Sequence, residues 1–168
     1  PLNFGRTRVQ GLEIAAHGRP MDWLDIQLSG SWTHSENLSE RSALQGKQLP
    51  NVPVWTAHST ETILVEGIQA GHSWFFADGQ YWDATNWYRA APRSVHSAFL
   101  RFMPGSRWPS AELEVRNIAD KISETGPIDP LQPGLGDAER PLSDFSGHPL
   151  AGRCILLSIG WNKGGEAQ

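Results

Sequence analysis

The 168 residues (18.6 kDa) are the size of one ordinary domain, with 39% hydrophobic and 19% charged residues. Eight Trp, 17 Gly and 12 Pro against two Met point to short strands and turns more than helices, and the aromatic content argues against disorder. The formal charge of −4 leaves no basic footprint for nucleic acid, the single cysteine Cys154 excludes an internal disulfide or a thiolate zinc cluster, and no apolar run approaches the roughly 18 residues of a membrane helix.

The chain opens Pro1-Leu2-Asn3-Phe4, with neither an initiator Met nor a basic-then-apolar leader, and reads as a cut piece of something longer. From there, period-two alternation recurs. Residues 11–17 place Leu12, Ile14 and Ala16 opposite Glu13 and His17. Residues 23–35 are cleaner: Leu24, Ile26, Leu28, Gly30 and Trp32 face one way, and Asp25, Gln27, Ser29, Ser31 and Thr33 face the other. Weaker alternation runs through residues 54–66, 71–82 and 94–103; Asp78-Gly79 has the look of a hairpin turn and is read as a bend within a strand. Residues 111–117 set Leu113 and Val115 against Glu112, Glu114 and Arg116. Residues 154–161 set Ile155, Leu157, Ile159 and Trp161 against Cys154, Leu156, Ser158 and Gly160. The pattern predicts an all-β chain, an antiparallel meander of about seven strands of roughly ten residues, long enough to cross a bilayer core when tilted.

Short links (residues 18–22, 66–70 and 104–107) alternate with long ones (36–52, 84–93 and 121–151). Loops above about 15 residues are uncommon in compact domains. Transmembrane barrels instead have short periplasmic turns and long outer loops. With that orientation, Trp23, Trp74, Trp108 and Trp161 are expected at the inner rim, and Trp55, Trp82, Trp87 and Tyr88 toward the outer one, where rings with an apolar body and a polar edge sit best. Seven is an odd count, and an unpaired strand edge in lipid costs several kcal/mol per bare group, so the chain is expected to be a segment of a larger barrel with further strands upstream.

Five elements then carry a resemblance. These are Arg8-Val9-Gln10-Gly11-Leu12-Glu13; Gly46 with Leu49-Pro50-Asn51-Val52-Pro53; Tyr81-Trp82-Asp83 with Asn86; Leu113 through Asp120, including Asn117; and Pro149-Leu150-Ala151-Gly152-Arg153 ahead of the terminal aromatic Trp161. In this order they resemble the carboxy-terminal end of the TonB-dependent outer-membrane receptors. Gly11 and Gly152 suit close backbone approach, Pro50, Pro53 and Pro149 suit strand starts, and Asn117 and Asp120 suit a strand end opening a loop. The resemblance implies a 22-stranded barrel with a plugged lumen. This chain would supply the last strands over residues 1–161, followed by a polar tail at 162–168. It implies uptake of a scarce, bulky ligand such as a ferric siderophore or cobalamin, energised through TonB by way of a plug that lies outside this sequence, with outer-membrane lipid as the surrounding partner.

Glu13, Asp25, Gln27, Glu112, Glu114 and Arg116 are the lumen-facing candidates, and residues 37–48, 86–91 and 121–148 are the candidate ligand loops. The i, i+2 pair Glu112 and Glu114 reads as lumen wall paired with Arg116, since a catalytic carboxylate pair normally comes from separate strands. His17, His34, His58, His72, His96 and His148 lack metal-ligand spacing and are expected on polar faces or loops, with no metal and no cofactor. No Ser-His-Asp arrangement is legible, so the chain is not expected to be an enzyme. The rival reading is a soluble, Trp-rich β-sandwich that binds carbohydrate; it would show the same alternation but bury its apolar face under a second sheet.

Overall fold

A computed structural model describes residues 6–40, 43–105, 109–122, 124–125, 148–149 and 151–161. The strands are β1 (Thr7–Met21), β2 (Leu24–Asn37), β3 (Trp55–Val65), β4 (Ile68–Ala77), β5 (Arg93–Phe102), β6 (Ser110–Arg116), β7 (Glu124–Thr125), β8 (His148–Pro149) and β9 (Cys154–Gly160). Seven of them form one antiparallel sheet in the order β1-β2-β3-β4-β5-β6-β9, while β7 and β8 pair apart as a two-residue ladder. Sequential neighbours pair throughout the large sheet, as expected for a meander. Trp108 and the tail at 162–168 lie outside the described residues.

Register determines which residues share a face, because partners across an antiparallel pair point the same way. Leu12 pairs with Trp32 and Ile14 with Gly30; Leu24 pairs with Ile63, Ile63 with Ala70, Ala70 with Leu100, Leu100 with Leu113, and Leu113 with Leu157. One continuous apolar row therefore crosses six strands. Its side chains are uncovered: Leu157 is 70% exposed on the last strand and Leu100 51% exposed in the interior of the sheet. Among the described residues no second layer lies over this face, as a sandwich would require.

The two rims differ. Asp22-Trp23 and Glu66-Gly67 make short turns, and only a short link separates β5 from β6; Gly67 has φ +70°, a left-handed conformation that glycine adopts without a Cβ clash. At the other rim the strands β2 and β3, β4 and β5, and β6 and β9 are separated by long links, whose described residues include 43–54, 78–92 and 117–122. Inside β1, Gly11 answers a close approach: a Cβ there would lie 2.7 Å from the Trp32 carbonyl oxygen.

Three expectations change. The strand expected over residues 71–82 is β4, which ends at Ala77; Asp78 Oδ1 accepts the Gly79 N–H at 2.7 Å and starts the loop, so Asp78-Gly79 is neither a hairpin nor a bend within a strand. Trp74 does not mark the inner rim. It is the seventh of ten residues in β4, well up from the Glu66-Gly67 turn. Trp82 is buried inside the outer loops at 8% exposure instead of meeting the membrane interface, whereas Trp87 is 80% exposed. Trp32 joins Trp55 near the outer rim, with ring centroids 6.4 Å apart, because the register sets them side by side.

Candidate functional site

The polar face opposite the apolar row holds every named lumen candidate. Glu13 pairs with Ser31, Asp25 with Thr62, Gln27 with Thr60, and Glu112 with Arg101, while Glu114 pairs with Phe99 and Arg116 with Cys154. Its charges are largely matched side by side. Asp25 Oδ2 accepts from Arg19 Nε at 2.8 Å and lies 3.0 Å from His17 Nε2. Arg101 Nε donates to Glu112 at 2.9 Å and its Nη1 donates to Gln69 at 3.1 Å; Arg116 grips Glu114 through two bonds of 2.8 and 2.9 Å. The forked guanidinium meets both carboxylate oxygens, so the Glu112–Glu114 spacing serves pairing with arginines and not a catalytic gap. Between these pairs the wall is rich in hydroxyls, with Ser31 and Thr56 2.6 Å apart across β2 and β3. Such a face offers many donors and acceptors at low net charge.

The outer loops are tied together by residues that the sequence reading placed as motif positions or within the candidate ligand loops. Asp83 accepts the backbone N–H groups of Thr85 (3.1 Å), Trp87 (3.0 Å) and Tyr88 (2.8 Å), and also the Thr85 hydroxyl. Burial pushes the Asp83 carboxyl up, but the hydroxyl and the N–H groups of Tyr88, Trp87 and Thr85 together outweigh it and hold its pKa below the ordinary carboxylate value. Asn86, at φ 60°, spans two loops: its Oδ1 accepts the Gln48 N–H at 2.8 Å and its Nδ2 donates to the Gln48 carbonyl at 2.9 Å. Asn51, also at φ 60°, donates its N–H to the Tyr81 carbonyl at 2.8 Å. The Tyr-Trp-Asp-x-x-Asn and Leu-Pro-Asn-x-Pro elements are thus two halves of one brace. The backbone role of Asp83 and Asn86 was detectable from the preference of Asp and Asn for turn bonding and left-handed conformations.

A second brace closes the last link. Asn117 (φ 51°) accepts the Lys121 N–H at 3.1 Å and donates Nδ2 to the Lys121 and Ala151 carbonyls at 2.9 and 3.4 Å. Asp120 (φ 52°) accepts the Arg153 N–H at 2.7 Å and lies 3.5 Å from the Arg153 guanidinium. Gly152 leaves room beside it, since a Cβ there would lie 3.0 Å from Asp120 Oδ1. The two ends of this long link are therefore pinned to each other, while residues 126–147 of the third candidate loop lie outside the described residues.

The histidines divide differently from expectation. His17 and His58 lie on the polar face, but His34, His72 and His96 fall in phase with Trp32, Trp74 and Ala98 on the apolar one. Among the described residues no group of three or more His, Cys, Asp or Glu side chains is arranged to hold a metal ion.

No family model and no curated protein matches the chain. Solved structures do. The siderophore receptor PiuA from Acinetobacter baumannii aligns with a TM-score of 0.72 at 20% identity, over 92% of this chain and 22% of that one. The ferric yersiniabactin uptake receptor FyuA from Yersinia pestis aligns at 0.71 and 16% identity, over 91% and 23%, and the copper transporter OprC at 0.71 and 19%, over 92% and 23%. This chain spans under a quarter of the length of each. At these identities the likeness is one of fold, and with the register, rims and two faces above it leads to one conclusion: the chain has the fold of a seven-stranded segment of the TonB-dependent receptor barrel.

Proposed function

We propose that residues 1–161 are the carboxy-terminal part of the barrel wall of a TonB-dependent receptor in the bacterial outer membrane, and that the complete protein imports a scarce small ligand such as a metal chelate or cobalamin. The observation that carries this reading is the pairing of an uncovered apolar row with an opposite face of matched charges and hydroxyls. Dimensions support it. The 11 residues of β3 climb about 33 Å along the strand, or about 25 Å in height at a tilt of about 40°, the height of the apolar band of such barrels. The solved neighbours bear the names of siderophore and copper transport proteins, which favours a metal-bearing ligand. Glu13, Asp25, Gln27, Glu112, Glu114 and Arg116 then line the lumen and contribute polar contacts, with no covalent step assigned to them. The braced loops over residues 37–48 and 86–91, together with 121–148, face the outside and help capture the ligand, and TonB acts through a plug domain elsewhere in the protein.

The direct test uses neighbouring residues on opposite faces of β2. With Cys154 replaced by Ser and the protein in lipid vesicles, Gln27→Cys is expected to react with a water-soluble maleimide and Leu28→Cys to be protected. The reverse order would remove the barrel reading. Uptake by the complete receptor with residues 121–148 shortened tests the third loop; unchanged uptake would remove it from ligand capture.

A further inference from the structure

Beside the apolar row, the same face carries a connected polar cluster. On the same face, across β3, β4 and β5, Glu61, His72, His96 and Ser94 form an unbroken hydrogen-bonded chain. His72 Nδ1 is 2.9 Å from Glu61 Oε2, His72 Nε2 is 3.1 Å from His96 Nδ1, and His96 Nε2 is 3.5 Å from Ser94 Oγ. The two imidazoles stack with centroids 5.3 Å apart. Polar and ionisable groups that face lipid are costly and rare, and a set of four in mutual contact calls for a function.

The chemistry of the donors and acceptors orients the whole chain. An ionised Glu61 only accepts, so His72 carries its proton on Nδ1 and presents a bare Nε2. That nitrogen accepts from His96, which therefore carries its proton on Nδ1 and turns the lone pair of Nε2 toward the Ser94 hydroxyl. The result is a nucleophile, a base aimed at it, and two groups that hold the base in the required tautomer. This is the logic of an activated serine. The Trp74 indole N–H donates to Ser94 Oγ at 2.8 Å, which fixes the hydroxyl oxygen and leaves its own proton to point at His96.

Depth fits as well. Ser94 is the second residue of β5, next to the long-loop rim, while Glu61 lies seventh of the 11 residues of β3, near mid-height. The chain descends from the level of the outer interface, where lipid ester groups lie, into the hydrocarbon band. The geometry points to a second activity on the outer wall: hydrolysis of an acyl ester of an outer-leaflet lipid, with Ser94 as nucleophile and His96 as general base. Ser94 Oγ bonds to the ester carbonyl carbon while its proton passes to His96 Nε2. The bond from that carbon to the alcohol oxygen breaks, the alcohol leaves with the proton, and Ser94 remains acylated. Water then adds to the acyl carbon, giving a proton to His96, and the Ser94–acyl bond breaks to release the fatty acid and return that proton to Ser94. His72 and Glu61 are positioning residues.

This inference rests on the lipid-facing reading, which the maleimide experiment on β2 tests separately. The test here is labelling of the complete folded receptor, in detergent micelles, by a long-chain alkyl fluorophosphonate, with the modified peptide located by mass spectrometry. Ser94 is expected to be labelled, labelling to vanish in Ser94→Ala, and its rate to fall about 100-fold or more in His96→Ala. In Glu61→Gln the rate is expected to fall and its pH profile to move, a change that mere loss of packing would not cause. Heat-dependent mobility on gels confirms that each variant is folded. Fatty-acid release from phospholipid vesicles should follow the same order. An unlabelled Ser94 in folded protein, or a rate indifferent to His96→Ala, would overturn the proposal.

Discussion

The apolar face is uniform at one end of the sheet and broken in its middle strands. On β6 and β9, Leu113, Val115, Ile155, Leu157 and Ile159 continue one another across the register without a polar member. On β3 to β5 the same face carries Glu61, His72, His96 and Ser94. Both stretches belong to one sheet with one alternation, so strand geometry alone does not account for the difference. A lipid-facing wall requires only apolar surface, which the β6–β9 end supplies, whereas the β3–β5 chain is tolerated because each polar group meets a partner before it meets hydrocarbon.

The largest contrast comes from substituting the same face in its uniform and its broken stretch. Leu113→Arg, in the uniform stretch, is expected to lower barrel stability by about 2–4 kcal/mol in a urea titration in lipid, since nothing nearby receives the charge. Replacing Glu61, His72 and His96 together by Leu should act in the opposite direction, with stability unchanged or raised by up to about 4 kcal/mol, because well-packed apolar groups match or exceed a paired polar cluster. A loss of similar size in both variants would erase the distinction between the two stretches.

The outer rim sharpens the comparison at a smaller scale. Asp83→Asn removes a charged acceptor from three backbone N–H groups and should ease opening of residues 83–90 by about 1–3 kcal/mol in hydrogen exchange. The pH dependence follows from its depressed pKa. The folded state holds the ionised form, so the stabilisation is complete above the unfolded value of about 4 and is lost as pH falls through the lower folded value. Trp87 fluorescence in the native protein should thus change in acid, and the Asn variant should lack that step. The smallest effect belongs to Arg116→Ala on the polar face. Its pair with Glu114 is bathed in water, and no measurable shift in unfolding midpoint is expected.

Much of the fold was legible because strand alternation is local. Leu24 through Trp32 and Asp25 through Thr33 declare two faces with no knowledge of their neighbours, and link lengths declare two rims. The weaker stretches misled for a physical reason. His72 and His96 sit in apolar phase, and a rule that sends histidine to the polar side places them wrongly; their phase with Trp74, Phe76, Ala98 and Leu100 was the available signal. Trp74 was displaced because the β3–β4 hairpin turns at Glu66-Gly67, which lengthens the strand below it. The lumen candidates were legible as a face, but their partners were not, since Arg101 and Glu112 stand on different strands.

The sequence by itself determined the seven strands of the large sheet, the two-sided pattern and the alternation of short and long links, but not the β7–β8 ladder, because the first three depend on neighbours one to a few residues apart. Tertiary structure alone decided which strands lie side by side and in what register. It turned Asp83, Asn86 and Gln48 into a brace between loops, and brought Glu61, His72, His96 and Ser94 into one chain. Contacts between residues far apart in the chain, such as Gln48 with Asn86 and His72 with His96, depend on how the strands pair, and no local pattern encodes that distance.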